Sequence, residues 1–315
     1  KFKRDNGLNY SEKQIVVSTG AKQSLANLAM VLLNKGDEVI LPAPFWVSYH
    51  DIVKLAEAVP VMVSTTIETD FKITPQQLEA AITPRTKMLW FSSPCNPSGS
   101  VYSKEELEGL AAVLRKHPNI FVASDEIYEH INFRSEHASI ATLDGMYDRT
   151  ITVNGVSKAF AMTGWRIGYI GAAEWIASAC TKFQGQITSG ANAIAQRATI
   201  TALEASPSKI QFMIDEFKQR RNLVLGLLKE IPGFKVNVPE GAFYVFPDVS
   251  DFFGRTLKGV QINNSSDLAM FLLEHANVAT VTGEAFGAPN CIRISYAAST
   301  EELIEAIKRI KEAVS

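Results

Sequence analysis

The sequence predicts an α/β protein with a large domain, whose mostly parallel sheet lies between helices, followed by a smaller α+β C-terminal domain. Three observations carry this. Short β-branched runs alternate with amphipathic stretches through the first half, the pattern of repeated β-α-β units. From about residue 175 the chain turns mainly helical and then breaks into shorter strands. And 315 residues with 46% hydrophobic and 20% charged side chains suffice for a buried core and exclude a disordered or fibrous chain. The predicted division is 1–210 for the large domain and 211–315 for the small one.

The elements follow in order. Ile15, Val16 and Val17 mark a strand over 15–19, and 21–33 reads as a helix, with Gly36 and Asp37 turning the chain after it. Strands at 38–41 and 59–63 flank a helical 45–56. Pro75 sits in the first turn of a helix over 74–81, where its missing N–H costs nothing. A buried strand at 87–92 precedes Ser103 and Glu106, spaced as a capping box that opens a helix to 116. Strands at 120–124 and 150–156 follow. Helical segments fill 175–228, interrupted at Ser189-Gly190 and Pro207, and the last of them, 210–229, leads into the small domain. There, strands are expected at 234–238, 242–246, 278–281 and 292–296, with helices at 267–275 and 301–314.

Composition narrows the function. Thirty-one Lys and Arg against 33 Asp and Glu leave a net charge of −2, so there is no electrostatic reason to expect nucleic acid or an anionic membrane as partner. Cys95, Cys180 and Cys291 are widely spaced and odd in number, which fits neither a disulfide framework nor a zinc site. A reducing, cytoplasmic setting is expected. No apolar run approaches the ~18 residues of a membrane helix. The five histidines are scattered, no metal site is expected, and neither GxGxxG nor GxxxxGK[ST] is present. The chain begins Lys1-Phe2-Lys3-Arg4, without an initiator methionine.

Parallel sheets bind ligands beyond the C-terminal ends of their strands, so the loops there hold the candidates. Ser18-Thr19-Gly20-Ala21-Lys22-Gln23 carries a strand into a helix whose free N–H groups could cradle a phosphate, or it is simply a tight turn. Pro42-Ala43-Pro44-Phe45-Trp46 delivers an aromatic to a helix start, for stacking on a planar group or for packing. In Ser92-Ser93-Pro94-Cys95-Asn96-Pro97, two X-Pro bonds stiffen the loop around one amide, and a cis bond is possible there. Asp125 ends an apolar strand, where a carboxylate needs a partner such as a protonated ring nitrogen, or else caps a helix. Lys158 follows another strand, in an apolar loop that would lower its pKa and suit it to a Schiff base, with Arg166 eight residues on as a phosphate fork. Arg293 lies inside an apolar strand and needs an anion, from a structural carboxylate or a substrate.

Together these loops resemble the fold-type I pyridoxal-phosphate enzymes. The match is to the class I aminotransferases, closest to the bacterial-type aspartate aminotransferases and their aspartate/prephenate subgroup. The run VNGVSKAFAMTGWRIGY from Val153 to Tyr169 carries most of the likeness, with SPCNPSGSVY and SDEIYEH beside it. The resemblance implies pyridoxal 5′-phosphate as cofactor. Lys158 would hold it as a Schiff base and shuttle the α-proton, while Asp125 would keep its ring nitrogen protonated. Tyr128 and Asn96 would share the ring's O3′, Trp46 would stack on the ring, and Ala21, Lys22, Ser157 and Arg166 would surround the phosphate. Arg293 would clamp the substrate α-carboxylate, with Trp46 and Asn96 also at the substrate. Many relatives carry a phosphate-binding serine three residues before the lysine. Here Gly155 stands there, and Ser157, or Arg166 with the helix N-terminus, would compensate.

The resemblance also implies a ping-pong transfer between L-aspartate and 2-oxoglutarate, with Lys22 meeting the distal carboxylate or merely offsetting phosphate charge. Prephenate, aromatic amino acids, alanine or kynurenine are the alternative substrates. A lyase on the same fold, or a regulator without catalysis, are the rivals from other classes. The family further implies a homodimer with shared active sites, with 186–192 as a guess for partner-supplied residues. A substrate-gating N-terminal segment of the family is expected to be absent here, together with its substrate-contacting glycine and its phosphate-reaching tyrosine.

Overall fold

The computed structural model describes residues 1–134 and 136–315. A short helix α1 (Phe2–Asn6) buries Phe2 and leads to β1 (Ile15–Thr19) and α2 (Ala21–Leu32). Then come β2 (Glu38–Ala43), α3 (Ser48–Leu55), β3 (Val59–Ser64), α4 (Pro75–Ala81), β4 (Thr86–Ser92), α5 (Lys104–Arg115) and β5 (Phe121–Asp125). The capping box expected at Ser103 is present: Ser103 Oγ accepts from Glu106 N at 3.1 Å, and Glu106 Oε2 accepts from Ser103 N at 2.7 Å.

β6 (Thr150–Gly155) and β7 (Ile167–Gly171) complete a seven-stranded sheet of order β1-β7-β6-β5-β4-β2-β3. All neighbouring pairs from β6 to β3 are parallel, whereas β7 runs antiparallel to both β6 and β1. The reason lies in chain length. A parallel crossover needs about a dozen residues, usually with a helix, and the link from Gly155 to Ile167 holds only irregular backbone and one 3₁₀ turn. The chain therefore doubles back, and the doubling places Lys158 at the sheet end.

Strand alternation decides what each face holds. Val39, Leu41, Met88 and Trp90 pack with Leu25 and Leu28 of α2 and Val53 of α3. Ile40, Leu89 and Phe91 point the other way and pack with Leu78 of α4 and with Leu107, Leu110 and Leu114 of α5. The sheet is thus covered on both faces, as the near-continuous apolar strands require.

Three helices follow: α6 (Glu174–Ile187), α7 (Ala193–Glu204) and α8 (Gln211–Leu228). Beyond them come β8 (Tyr244–Val245), β9 (Arg255–Leu257), β10 (Val260–Ile262), α9 (Ser265–Ala276), β11 (Val281–Thr282), β12 (Ile292–Ser295) and α10 (Thr300–Val314). A second core forms where Val224 and Leu228 of α8, Phe271 and Leu272 of α9, and Ile307 and Ile310 of α10 meet β8 and β12. Its sheet has the order β11-β12-β8, all antiparallel. Among the described residues, no helix is long and apolar enough to cross a membrane.

Four expectations are corrected. The strand expected at 234–238 is reduced to a single bridge between Lys235 and Asp248. Its later residues turn to the large sheet's loops instead: Asn237 Nδ2 donates to Asp70 Oδ1 at 2.8 Å, and Glu240 N donates to Gly99 O at 2.9 Å. The strand at 242–246 shortens to two residues, and that at 278–281 moves to Val281–Thr282. The helix at 45–56 starts only at Ser48, because Phe45 N is committed to Phe286 O at 3.1 Å. The β9–β10 hairpin was not foreseen. Its turn residues Lys258 and Gly259 both have positive φ (47° and 85°), the primed-turn geometry that suits strand twist.

Candidate active site

The C-terminal ends of β1, β2, β4, β5 and β6 surround one cavity of about 300 Å³. Every candidate from the sequence except Arg293 lines it: Ala21 and Lys22 after β1, Trp46 after β2, Asn96 after β4, Asp125 and Tyr128 after β5, and Ser157, Lys158 and Arg166 after β6. Arg293 arrives from β12 and joins the group by donating from Nη1 to Asn96 Oδ1 at 2.9 Å.

The start of α2 forms one wall. Gly20 has φ 82°, and a Cβ there would run into the Arg166 guanidinium. A Cβ on Gly168 would run into the amide nitrogen of Ala21. Two glycines thus let the turn, β7 and Arg166 close on one another. No side chain caps α2 and its first turn holds no acid, so its N-terminal N–H groups are open to an anion. Gln23 folds back to accept from Thr19 N at 2.7 Å. Lys22 Nζ lies 4.9 Å from the Trp46 ring. Arg166 itself adopts the left-handed region (φ 54°) and donates from Nη1 to Thr163 O at 3.0 Å.

Asp125 is buried at the cavity floor. Tyr49 Oη donates to its Oδ2 at 2.7 Å and Ile127 N donates to its Oδ1 at 3.2 Å. Burial dominates and pushes its pKa up to about 6, against the opposing pull of those two donors and of Lys158. Burial also lowers the pKa of Lys158, with Asp125 opposing, so its amine becomes neutral more readily than a surface lysine. Lys158 Nζ stands 5.6 Å from the Tyr128 ring and 5.7 Å from the Phe243 ring. Burial raises the Tyr128 phenol well above its ordinary value, and its Oη lies 3.1 Å from Tyr244 Oη.

Among the described residues, Lys22, Lys158, Arg166 and Arg293 form no ion pair with a carboxylate. Arg293 instead lies over the rings of Tyr244 (4.6 Å) and Phe286 (4.9 Å). The structural carboxylate that the sequence left open for Arg293 is therefore not found among these residues. The cavity combines three cationic side chains, an open helix N-terminus, one buried carboxylate and a half-buried indole. Such a set suits a planar, anionic molecule with a basic ring nitrogen.

Gly155 does not line the cavity. A Cβ there would sit 2.9 Å from Ile167 O and 3.2 Å from Gly168 Cα, so the close β6–β7 pairing leaves no room for a serine, while Ser157 lines the cavity. The peptide bonds before Pro44, Pro94 and Pro97 are cis. Residues 186–190 are exposed and stand outside the cavity, and Asn192 lines a neighbouring cleft with Trp165 and Arg166.

Sequence reasoning missed Tyr49, Ser92, Thr163 and Tyr244. Tyr49 had a signal, since it lies three residues after Trp46, and a buried carboxylate requires a donor. Tyr244 had none beyond its aromatic neighbourhood. The histidines judged scattered are also partly gathered: His137 Nε2 lies 3.0 Å from Glu126 Oε2, and His130 Nε2 lies 3.2 Å from Glu129 Oε1. Lys1 pairs with the same Glu129.

The chain is similar to known proteins. The model of the family "Aminotransferase class I and II" matches residues 1–310. The chain is 47% identical over 319 residues to the bifunctional aspartate aminotransferase and glutamate/aspartate-prephenate aminotransferase of Petunia hybrida, covering all of this chain and 67% of that one. It is 46% identical over 321 residues to the aspartate aminotransferase of Pinus pinaster, covering all of this chain and 65% of that one. The chain therefore spans about two thirds of the length of these relatives. The crystal structure of the aspartate aminotransferase from Rhizobium meliloti superposes with a TM-score of 0.97 at 44% identity, covering 99% of this chain and 79% of that one.

Proposed function

The chain belongs to the class I and II aminotransferases, and on that premise we propose that it transfers the amino group of L-aspartate to 2-oxoglutarate, giving oxaloacetate and L-glutamate, with pyridoxal 5′-phosphate as cofactor. The observation that carries this reading is the meeting of Lys158 and Asp125, at the ends of adjacent strands, with Arg293 and Asn96 at one cavity.

The residues fit the cofactor. Gly20 and Gly168 let Arg166 and β7 close on the start of α2, and that uncapped start with Lys22 and Arg166 suits a phosphate. When bound, pyridoxal phosphate supplies a carbonyl carbon that takes the amino group and a ring that draws electrons from Cα.

The chain's own groups do the rest. Lys158, whose pKa burial lowers, would hold the cofactor through Nζ and would take and return the α-proton there. Asp125, fixed by the Tyr49 and Ile127 donors, would pair with the ring nitrogen and keep it protonated. Tyr128 and Asn96 would donate to the ring oxygen, and Trp46 would cover one face. Arg293 offers a planar fork to the substrate α-carboxylate, held in direction by Asn96 Oδ1. Lys22, close to Trp46 and free of ion pairs among the described residues, meets the distal carboxylate of aspartate. The name of the petunia relative includes prephenate, which supports prephenate transamination as a second activity.

In the same reading, 1–210 forms the cofactor-binding domain and 211–315 the small domain, supported by two separate apolar cores. Exposed Trp165, Ile187 and Ile194 support a homodimer. Three unpaired cysteines support a cytoplasmic setting. The test is a coupled assay in which protein, pyridoxal phosphate, aspartate and 2-oxoglutarate yield oxaloacetate, read as NADH oxidation by malate dehydrogenase. Catalytic turnover of an amino acid with no keto-acid acceptor present would favour a lyase. No turnover with either aspartate or prephenate would overturn the reading.

A further inference from the structure

Tyr244 stands on the small domain's sheet, yet it packs with Tyr128, Ile131 and Ala242, and its hydroxyl reaches Tyr128 of the active site. It stands on β8, is buried, and its Oη lies 3.1 Å from Tyr128 Oη. Its strand pairs with β12 in the register Ser295 opposite Tyr244, which brings the Arg293 guanidinium to 4.6 Å from the Tyr244 ring centroid. The two phenols share one contact, and each has a single hydrogen. If Tyr128 donates to Tyr244, nothing is left for Tyr128 to donate into the cavity. If Tyr244 donates, Tyr128 keeps its hydrogen for the cavity, and its O–H bond is polarised by the bond it accepts.

Arg293 favours the second arrangement. A cation over the Tyr244 ring withdraws density from the phenol and makes it the better donor. The charged groups that act on Tyr128 are Asp125 and Arg293, with Lys158 5.6 Å from its ring, and Arg293 is the one that acts on Tyr244.

We propose that Tyr244 is a positioning residue that donates to Tyr128 and so aims and strengthens the Tyr128 hydrogen toward the ring oxygen of the cofactor. This rests on the function proposed above. It makes a residue of the small domain's sheet part of the machinery that sets the cofactor's proton affinity, and links that machinery to the arginine assigned to the substrate carboxylate.

The test uses the cofactor-loaded protein and the pH midpoint of the absorbance of its lysine-bound cofactor. A donor to the ring oxygen stabilises its anionic form, so weakening that donor moves the midpoint upward. Tyr128→Phe removes one charge-assisted bond and is expected to raise the midpoint by about 1–2 pH units. Tyr244→Phe keeps the ring under Arg293 and removes only the hydroxyl. Losing the cooperative gain of roughly a tenth to a third of that bond should raise the midpoint by a few tenths of a unit. In the Tyr128→Phe background, Tyr244→Phe should add nothing.

An unmoved midpoint in Tyr244→Phe, or an equal shift in the Tyr128→Phe background, overturns the inference while leaving the aminotransferase reading intact. If the unsubstituted protein binds no pyridoxal phosphate, both fall. If Tyr244→Phe does not fold, 3-fluorotyrosine incorporated at position 244 replaces it. As a stronger donor it must move the midpoint down, and an upward or absent shift refutes the proposal.

Discussion

Replacing Asp125 with asparagine should make the cofactor-free protein more stable at neutral pH, not less. Asp125 is 4% exposed, and burial raises its pKa from 3.8 to about 6. A carboxyl whose folded pKa lies above its unfolded value gives stability that is full below about pH 4 and fades as pH rises through about 6. The gap is about two units, and at 1.36 kcal/mol per unit the loss approaches about 3 kcal/mol by pH 8. Asparagine carries no charge at any of these pH values. Its oxygen can keep the bond from Ile127 N, and the Tyr49 hydroxyl can rotate to accept from the new amide.

The assay is urea unfolding of both cofactor-free proteins between pH 4 and 8. The two stabilities should agree near pH 4, and Asp125→Asn should lead by up to about 3 kcal/mol at pH 8. A gap that does not change with pH, or a variant less stable at pH 8, would refute the argument. A costly buried carboxylate is what a site selected for chemistry rather than stability retains.

Three further outcomes are expected. Gly168→Ala presses a methyl onto the amide nitrogen of Ala21, so pyridoxal phosphate affinity, read by fluorescence titration, should fall at least about tenfold, with a stability loss of roughly 1–3 kcal/mol. Arg149→Met removes a buried guanidinium that donates to Leu114 O at 2.8 Å, to Ile120 O at 2.9 Å and to His117 O, so urea unfolding should show a loss of about 2–4 kcal/mol with kcat unchanged. Lys22→Ala should cost roughly 10–100-fold in kcat/KM for aspartate and far less for phenylalanine; equal losses would leave Lys22 only a phosphate-charge role.

Much of the site was legible because its residues are local. Lys158, Asp125 and Asn96 each follow a strand within a few residues, and parallel topology alone sends those loops to one edge. Trp46 and Lys22 were legible for the same reason. What escaped depends on contacts far apart in sequence. Tyr128 meets Tyr244 across 116 positions, and Asn96 meets Arg293 across 197. No periodicity encodes such pairs. The small domain was read less well than the large one because its strands are two to four residues long, too short to show alternation. The segment 234–238 had strand-forming residues, but Asn237 found side-chain and backbone partners in the large sheet's loops. The direction of β7 was decided by connection length, which is visible in the sequence once the strands are placed.

The central claim is that Lys158 and the cavity around it run a reversible amino transfer, and a half-reaction tests it most directly. The protein loaded with pyridoxal phosphate should lose the absorbance of its lysine-bound cofactor when aspartate is added, gain that of pyridoxamine phosphate, and return on addition of 2-oxoglutarate. Lys158→Ala should abolish the cycle. A spectrum unmoved by aspartate, or a cycle that persists without Lys158, would contradict the account.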